Sequence, residues 1–106
     1  MNINSENPVM SVNASMKIFK AQVIPGNLML LSDRIYFQAS GLLKGTEVKD
    51  IFSFEEIKKI KVGFSIAPFR IVIILNDGDN WIFDQVNRKD AKKFVELYEA
   101  INSDLR

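Results

Sequence analysis

The sequence predicts a mainly β domain with one C-terminal α-helix: a seven-stranded antiparallel sandwich or barrel capped by that helix. Three observations predict it. Short apolar runs alternate with polar residues from about residue 17 to 86. Turn-forming residues such as Pro25-Gly26 and Asp77-Gly78 punctuate those runs. Beyond residue 86 the apolar spacing changes to steps of three and four, the signature of an amphipathic helix.

Taken in order, residues 1–15 are polar, rich in Asn and Ser, and have neither period, so they predict a flexible tail whose removal leaves the fold intact. They also lack the apolar core and leading basic residues of a secretion signal. The domain proper is expected over residues 16–106. Phe19, Ala21 and Val23 alternate with Ile18, Lys20 and Gln22 in a first strand, and Pro25-Gly26 suits a type II turn. A second strand follows over 27–31. Ser32-Asp33 then makes a tight connection to a third over 34–39, with Ile35, Phe37 and Ala39 on one face.

Residues 40–45 read as a loop. A fourth strand over 46–54 puts Val48, Phe52 and Phe54 on one face and makes Asp50 an inward-pointing candidate for a bulge. Glu55-Glu56-Ile57 is a short break. Ile60, Val62 and Phe64 then alternate with Lys59, Lys61 and Gly63 in a fifth strand. Residues 69–75 are apolar on both faces and predict the most covered strand. Asp77-Gly78 predicts a two-residue hairpin turn with both central residues at positive φ, leading to a seventh strand over 80–86. Ala91, Phe94, Val95, Tyr98, Ile101 and Leu105 form the apolar stripe of the helix, with Asn87 as N-cap and Asp90 three positions later. That helix is expected to pack across the open end of the strands.

Composition narrows the function. With 106 residues the chain has the size of one domain. A net charge of +1 gives no general attraction to a phosphate backbone, so no nucleic-acid partner is expected, and any contact with anionic lipid needs a local patch. Histidine and cysteine are both absent. Disulfides and thiolate metal sites are therefore excluded, and so are the commonest general base and the thiol nucleophile. A small domain without disulfides is expected in the cytoplasm. The run Ile71-Val72-Ile73-Ile74-Leu75 is far shorter than the ~20 apolar residues of a membrane-spanning helix.

Three stretches resemble the GRAM family of bacterial proteins, which shares the pleckstrin-homology superfold. Gly26-Asn27-Leu28-Met29-Leu30-Leu31-Ser32-Asp33-Arg34-Ile35-Tyr36-Phe37 is similar to the family's glycine, Leu-x-Leu strand, small and polar turn, Arg and apolar strand ending in Phe. Phe52-Ser53-Phe54-Glu55-Glu56-Ile57-Lys58-Lys59-Ile60 resembles its apolar–small–apolar segment followed by an acidic pair and Ile. Ile73-Ile74-Leu75-Asn76-Asp77-Gly78-Asp79-Asn80-Trp81-Ile82-Phe83 looks like its last hairpin. Together they cover roughly residues 16 to 103. The resemblance implies a non-catalytic binding or scaffold module. Superfold members that bind phosphoinositides carry basic residues in the first strand–strand loop, and Ile24-Pro25-Gly26-Asn27 has none.

Candidate sites follow from charge and apolarity. Lys58, Lys59, Lys61 and Arg70 are the densest basic cluster, a candidate for weak anionic-surface contact at about 1 kcal/mol per charge, or simply a solvated face balanced by Glu55 and Glu56. Phe64, Ile66 and Phe69 are candidates for contact with a partner if exposed, and plug the barrel end if turned inward. Arg34 is expected to have a structural role, pairing with an acidic partner or with a turn carbonyl beside Asp33. Trp81, Tyr36 and the phenylalanines are candidates for a recognition surface, but at strand spacing they are expected mainly in the core. Asp77, Asp79 and Asp84 lie near one hairpin, but the turn accounts for Asp77 and no spaced Glu completes a calcium loop. No catalytic residue, cofactor or metal ligand emerges. The expected function is recruitment of a protein partner or self-association through a sheet edge or loop, with a peripheral anionic-membrane adaptor as the alternative.

Overall fold

The computed structural model describes residues 8–19, 22–40, 49–63 and 69–104; of Ile18, Phe19, Gln22 and Phe69 only the backbone is described. Seven antiparallel strands form one curled sheet with a C-terminal helix, as the sequence predicts. The strands are β1 (Met10–Phe19), β2 (Gln22–Leu30), β3 (Arg34–Ala39), β4 (Ile51–Ser53), β5 (Ile57–Gly63), β6 (Phe69–Leu75) and β7 (Asn80–Val86), followed by helix α1 (Arg88–Asp104). Their order across the sheet is β4-β3-β2-β1-β7-β6-β5. Every pairing joins chain neighbours except the β1–β7 seam, where Ser15 meets Asp84 and Met16 meets Phe83, and β4 does not pair with β5. β4 and β5 are thus the two edges.

The sheet folds over its own inner face. Phe52 on β4 packs edge-on against Phe83 on β7 at 5.9 Å and against Trp81 at 5.6 Å, and Phe37 on β3 reaches Phe83 at 5.4 Å. These strands are not sheet neighbours, so the rings bridge the two walls. Around them lie Met16, Leu28, Leu30, Ile35, Ile60, Ile71 and Ile73, all essentially fully buried. Helix α1 seals one open end with Ala91, Phe94 and Tyr98 buried at a spacing of three and four, and Tyr98 stacks edge-on against Phe54 at 4.9 Å. Val95, Leu97 and Ile101 pack around its rim. Asn87 caps the helix as expected: its Oδ1 accepts from the Lys89 N–H at 2.9 Å and the Asp90 N–H at 3.4 Å.

The amino-terminal third departs from the sequence expectation. β1 starts at Met10, so residues 10–15 belong to a strand and not to a flexible tail, and Val12 and Ala14 are buried in the core. Pro25-Gly26 is not a turn. It lies inside β2, where Pro25 pairs with Ser15 and Gly26 with Ala14. The β1–β2 connection falls at residues 20–21, outside the described residues. Strand propensity penalises Pro because it lacks a donor, yet here the cost is small. The Pro25 carbonyl accepts from the Ser40 N–H at 2.8 Å, so its missing N–H faces only the last position of the β3 ladder.

Other differences are local. β4 is three residues long; the part of the expected fourth strand at 46–48 lies outside the described residues, and Asp50 is exposed rather than inward. A 3-10 turn (Phe54–Glu56) occupies the expected break. The β6–β7 hairpin is present, but its loop has three residues. Leu75 N–H bonds the Asp79 carbonyl, Gly78 N–H bonds the Leu75 carbonyl, and only Gly78 takes positive φ (99°). The opposite end of β7 is bulged. Gln85 adopts φ 63°, which lets both Phe83 and Val86 face the core.

Candidate functional site

The open edge at β5 brings together most of the basic residues singled out in the sequence. β5 pairs only with β6, from Ile57 opposite Leu75 to Gly63 opposite Arg70. The direction of its backbone groups follows from the hairpin. Leu75 points its N–H and C=O at β7, so by strict alternation Ile74, Val72 and Arg70 point theirs at β5. Their partners Lys59, Lys61 and Gly63 are thereby satisfied. The N–H and C=O of Ile60 and Val62 face outward, and among the described residues nothing pairs with them.

Side chains alternate in step with that edge. Ile60 is buried in the core and Val62 packs against it. Lys59 and Lys61 are exposed on the outer face, and Lys58 is exposed at a bulge where the register shifts between Ile57 and Lys59. Among the described residues no carboxylate lies within ion-pair distance of these three lysines. Glu56 is not their counter-ion. Its carboxylate reaches Lys49 Nζ at 3.0 Å and accepts the Ser53 backbone N–H at 2.9 Å. Partial burial pushes its pKa up, but the Ser53 N–H and Lys49 outweigh that and hold it below the ordinary 4.5.

Arg70 leaves the cluster. Its side chain crosses Gly63, where an added Cβ would come within 2.7 Å of Cγ, and its Nε lies 2.9 Å from Asp84 Oδ1. The N–H is not aligned for a hydrogen bond, so the contact is an ion pair only. The basic group available at the edge is therefore Lys58, Lys59 and Lys61. Of the apolar candidates, Phe64 and Ile66 lie outside the described residues, and Phe69 is described only as the start of β6, opposite Val86. Arg34 pairs with its neighbour Asp33 at 2.7 Å, the acidic partner among the two kinds the sequence left open.

A concavity of about 740 Å³ opens beside Lys58, between the β2–β3 turn, the 3-10 turn, the β6–β7 hairpin and the end of α1. Part of its polar lining is engaged. Asp33 holds Arg34, and Asn76 Nδ2 donates to the Glu55 carbonyl at 2.9 Å. Asp33 and Glu55 are exposed, unlike the desolvated carboxylates that perform acid–base chemistry. Asp77 accepts the Asp79 N–H within the hairpin loop and Asp84 faces Arg70, so the three hairpin aspartates do not converge. Among the described residues no group of three acidic side chains is placed to hold a metal ion. Nor is any helix among them long and apolar enough to cross a membrane.

Lysine spacing in the sequence pointed to the basic cluster. It did not reveal that β5 is an edge, nor that Asp84 removes Arg70, because both depend on which strands become neighbours.

The fold has a counterpart among solved structures. The C-terminal domain of an unknown protein from Leishmania infantum matches with a TM-score of 0.67 at 15% identity, over 90% of this chain and 84% of that one. At that identity the likeness is one of fold. No family model matches the sequence, and no curated protein matches it.

Proposed function

We propose that this chain is a non-catalytic binding module of the cytoplasm, GRAM-like in its sequence pattern, that recruits a protein partner along the open β5 edge. The observation that carries the reading is the outward, unpaired backbone of Ile60 and Val62 on a seven-residue edge strand. Such a row of donors and acceptors is the template on which an extended peptide adds as a further strand. The absence of histidine and cysteine from the sequence supports a binding role over a catalytic one.

The membrane reading has less support. With Arg70 held by Asp84, three lysines remain at the edge, below the four to eight basic residues of an anionic-lipid cluster.

A photo-crosslinking residue placed at Lys61 in cells tests the proposal, with the same residue at Gln38 on the opposite wall as control. The expected result is a discrete adduct with another protein from position 61 only, lost on adding Val62→Pro, which removes an outward N–H without touching the β6 ladder. Adducts at neither position, or equally at both, would overturn it. Salt-sensitive sedimentation with anionic vesicles, abolished by Lys59→Glu/Lys61→Glu, would favour the lipid reading instead.

A further inference from the structure

We infer that the β5 edge selects an extended strand with alternating acidic and apolar residues, and disfavours a second copy of this chain. This deepens the binding-module reading and rests on it. The alternation of β5 sets the pattern. Lys59 and Lys61 share the outer face, while Ile60 and Val62 turn toward the core. An added strand has the same period of two, so its residues on the outer face stand opposite the lysines and those between them lie beside the apolar side chains.

Geometry sharpens the charge requirement. Lys59 and Lys61 direct their backbone groups at β6, so across the free edge they occupy non-hydrogen-bonded positions, where facing side chains approach most closely. An acidic residue there meets an uncompensated lysine, worth roughly 0.2–1 kcal/mol per pair, and a basic one is repelled. The exposed Lys58 at the bulge adds charge of the same sign.

The same argument disfavours self-pairing through this edge. An antiparallel β5–β5 contact centred on Ile60 opposite Ile60 places Lys59 opposite Lys61 in both directions. The alternative with Ile60 opposite Val62 places Lys61 opposite Lys61. Both of these registers bring like charges together, a device by which exposed edges resist edge-to-edge association. Val62 opposite Val62 places Lys61 opposite Gly63 instead, but overlaps β5 only over Lys61 to Gly63.

The test uses the whole chain and two labelled peptides, one alternating Glu and Val, the other Lys and Val. Binding is read by fluorescence anisotropy, and the β5 amides by hydrogen exchange. The Glu/Val peptide is expected to bind about tenfold more tightly. That preference should shrink at high salt, and exchange at Ile60 and Val62 should slow on binding. Lys59→Glu/Lys61→Glu should reverse the preference; both residues are exposed, so folding is unaffected and is checked by circular dichroism. Equal binding of both peptides with those amides protected would overturn the charge selection and leave the edge reading standing. Glu/Val binding without protection of Ile60 and Val62 would overturn the edge reading and the inference together. No binding of either peptide would overturn the inference, while the crosslinking at position 61 judges the edge separately.

Discussion

A Cβ on Gly26 would lie 2.4 Å from the carbonyl oxygen of Gln38, with the Ala39 backbone 2.9 Å away. Backbone cannot swing aside as the tip of a side chain can, so β2 and β3 approach this closely only because residue 26 has no side chain. Gly26→Ala is expected to destabilise the domain by about 2–3 kcal/mol through overpacking. Gly78→Ala, where φ is 99° but the surrounding space is open, should cost only about 1 kcal/mol. Urea denaturation of the two variants checks the ranking, and equal costs would contradict the close approach.

The first half of β1 is part of the fold. Val9 N–H bonds the Leu30 carbonyl, Met10 through Ser15 pair with β2, and Val12 and Ala14 are buried. Deleting residues 1–15 should abolish cooperative thermal unfolding. Val12→Ala should cost about 2 kcal/mol from the lost apolar contact and the space left behind. A neutral outcome for both would restore the flexible tail expected from the sequence.

Helix docking depends on a specific ring pair. Phe54 and Tyr98 meet edge-on at 4.9 Å, one from the 3-10 turn and the other from α1. A double-mutant cycle of Phe54→Leu and Tyr98→Leu should yield a coupling energy of about 1 kcal/mol. Each single variant costs more than that, because both side chains are buried. A coupling near zero would mean that the ring pair adds nothing specific and that burial of the apolar stripe holds the helix.

Glu56 gives the domain a small acid sensitivity. Its folded pKa lies below 4.5, so its stabilising contribution is present above that value and is lost as the pH falls through the lower folded pKa. Both partners are about one-third exposed, which limits the effect to about 1 kcal/mol. Glu56→Gln should therefore be slightly less stable at pH 7 and lose less stability than the parent on acidification below about pH 4.5. Thermal melts across that range check the crossing, and parallel losses would assign the acid sensitivity elsewhere.

The legible and illegible parts of this protein divide at identifiable residues. β6, β7 and the helix cap could be read directly, because Ile71 to Leu75, the Asp-Gly hairpin and Asn87 carry strong local signals, although the hairpin closes through three loop residues and not two. The Ser32-Asp33 turn and the Arg34 pairing were legible for the same reason. Pro25-Gly26 was misread because the chemistry that favours a turn also suits a strand position where a neighbour comes too close for a side chain. Residues 10–15 were misread on their Asn and Ser content, although Ser11, Asn13 and Ser15 are the polar half of an alternation whose apolar half, Met10, Val12, Ala14 and Met16, packs in the core.

The sequence alone determined the secondary-structure class, the position of the capping helix and the absence of histidine and cysteine, since these follow from local periodicity and residue identity. Only the tertiary structure decided that β1 joins β7, that β5 is left as an edge, and that Asp84 neutralises Arg70. Those outcomes depend on pairing between residues distant in sequence, where burial of a shared core, and not local preference, selects the neighbour.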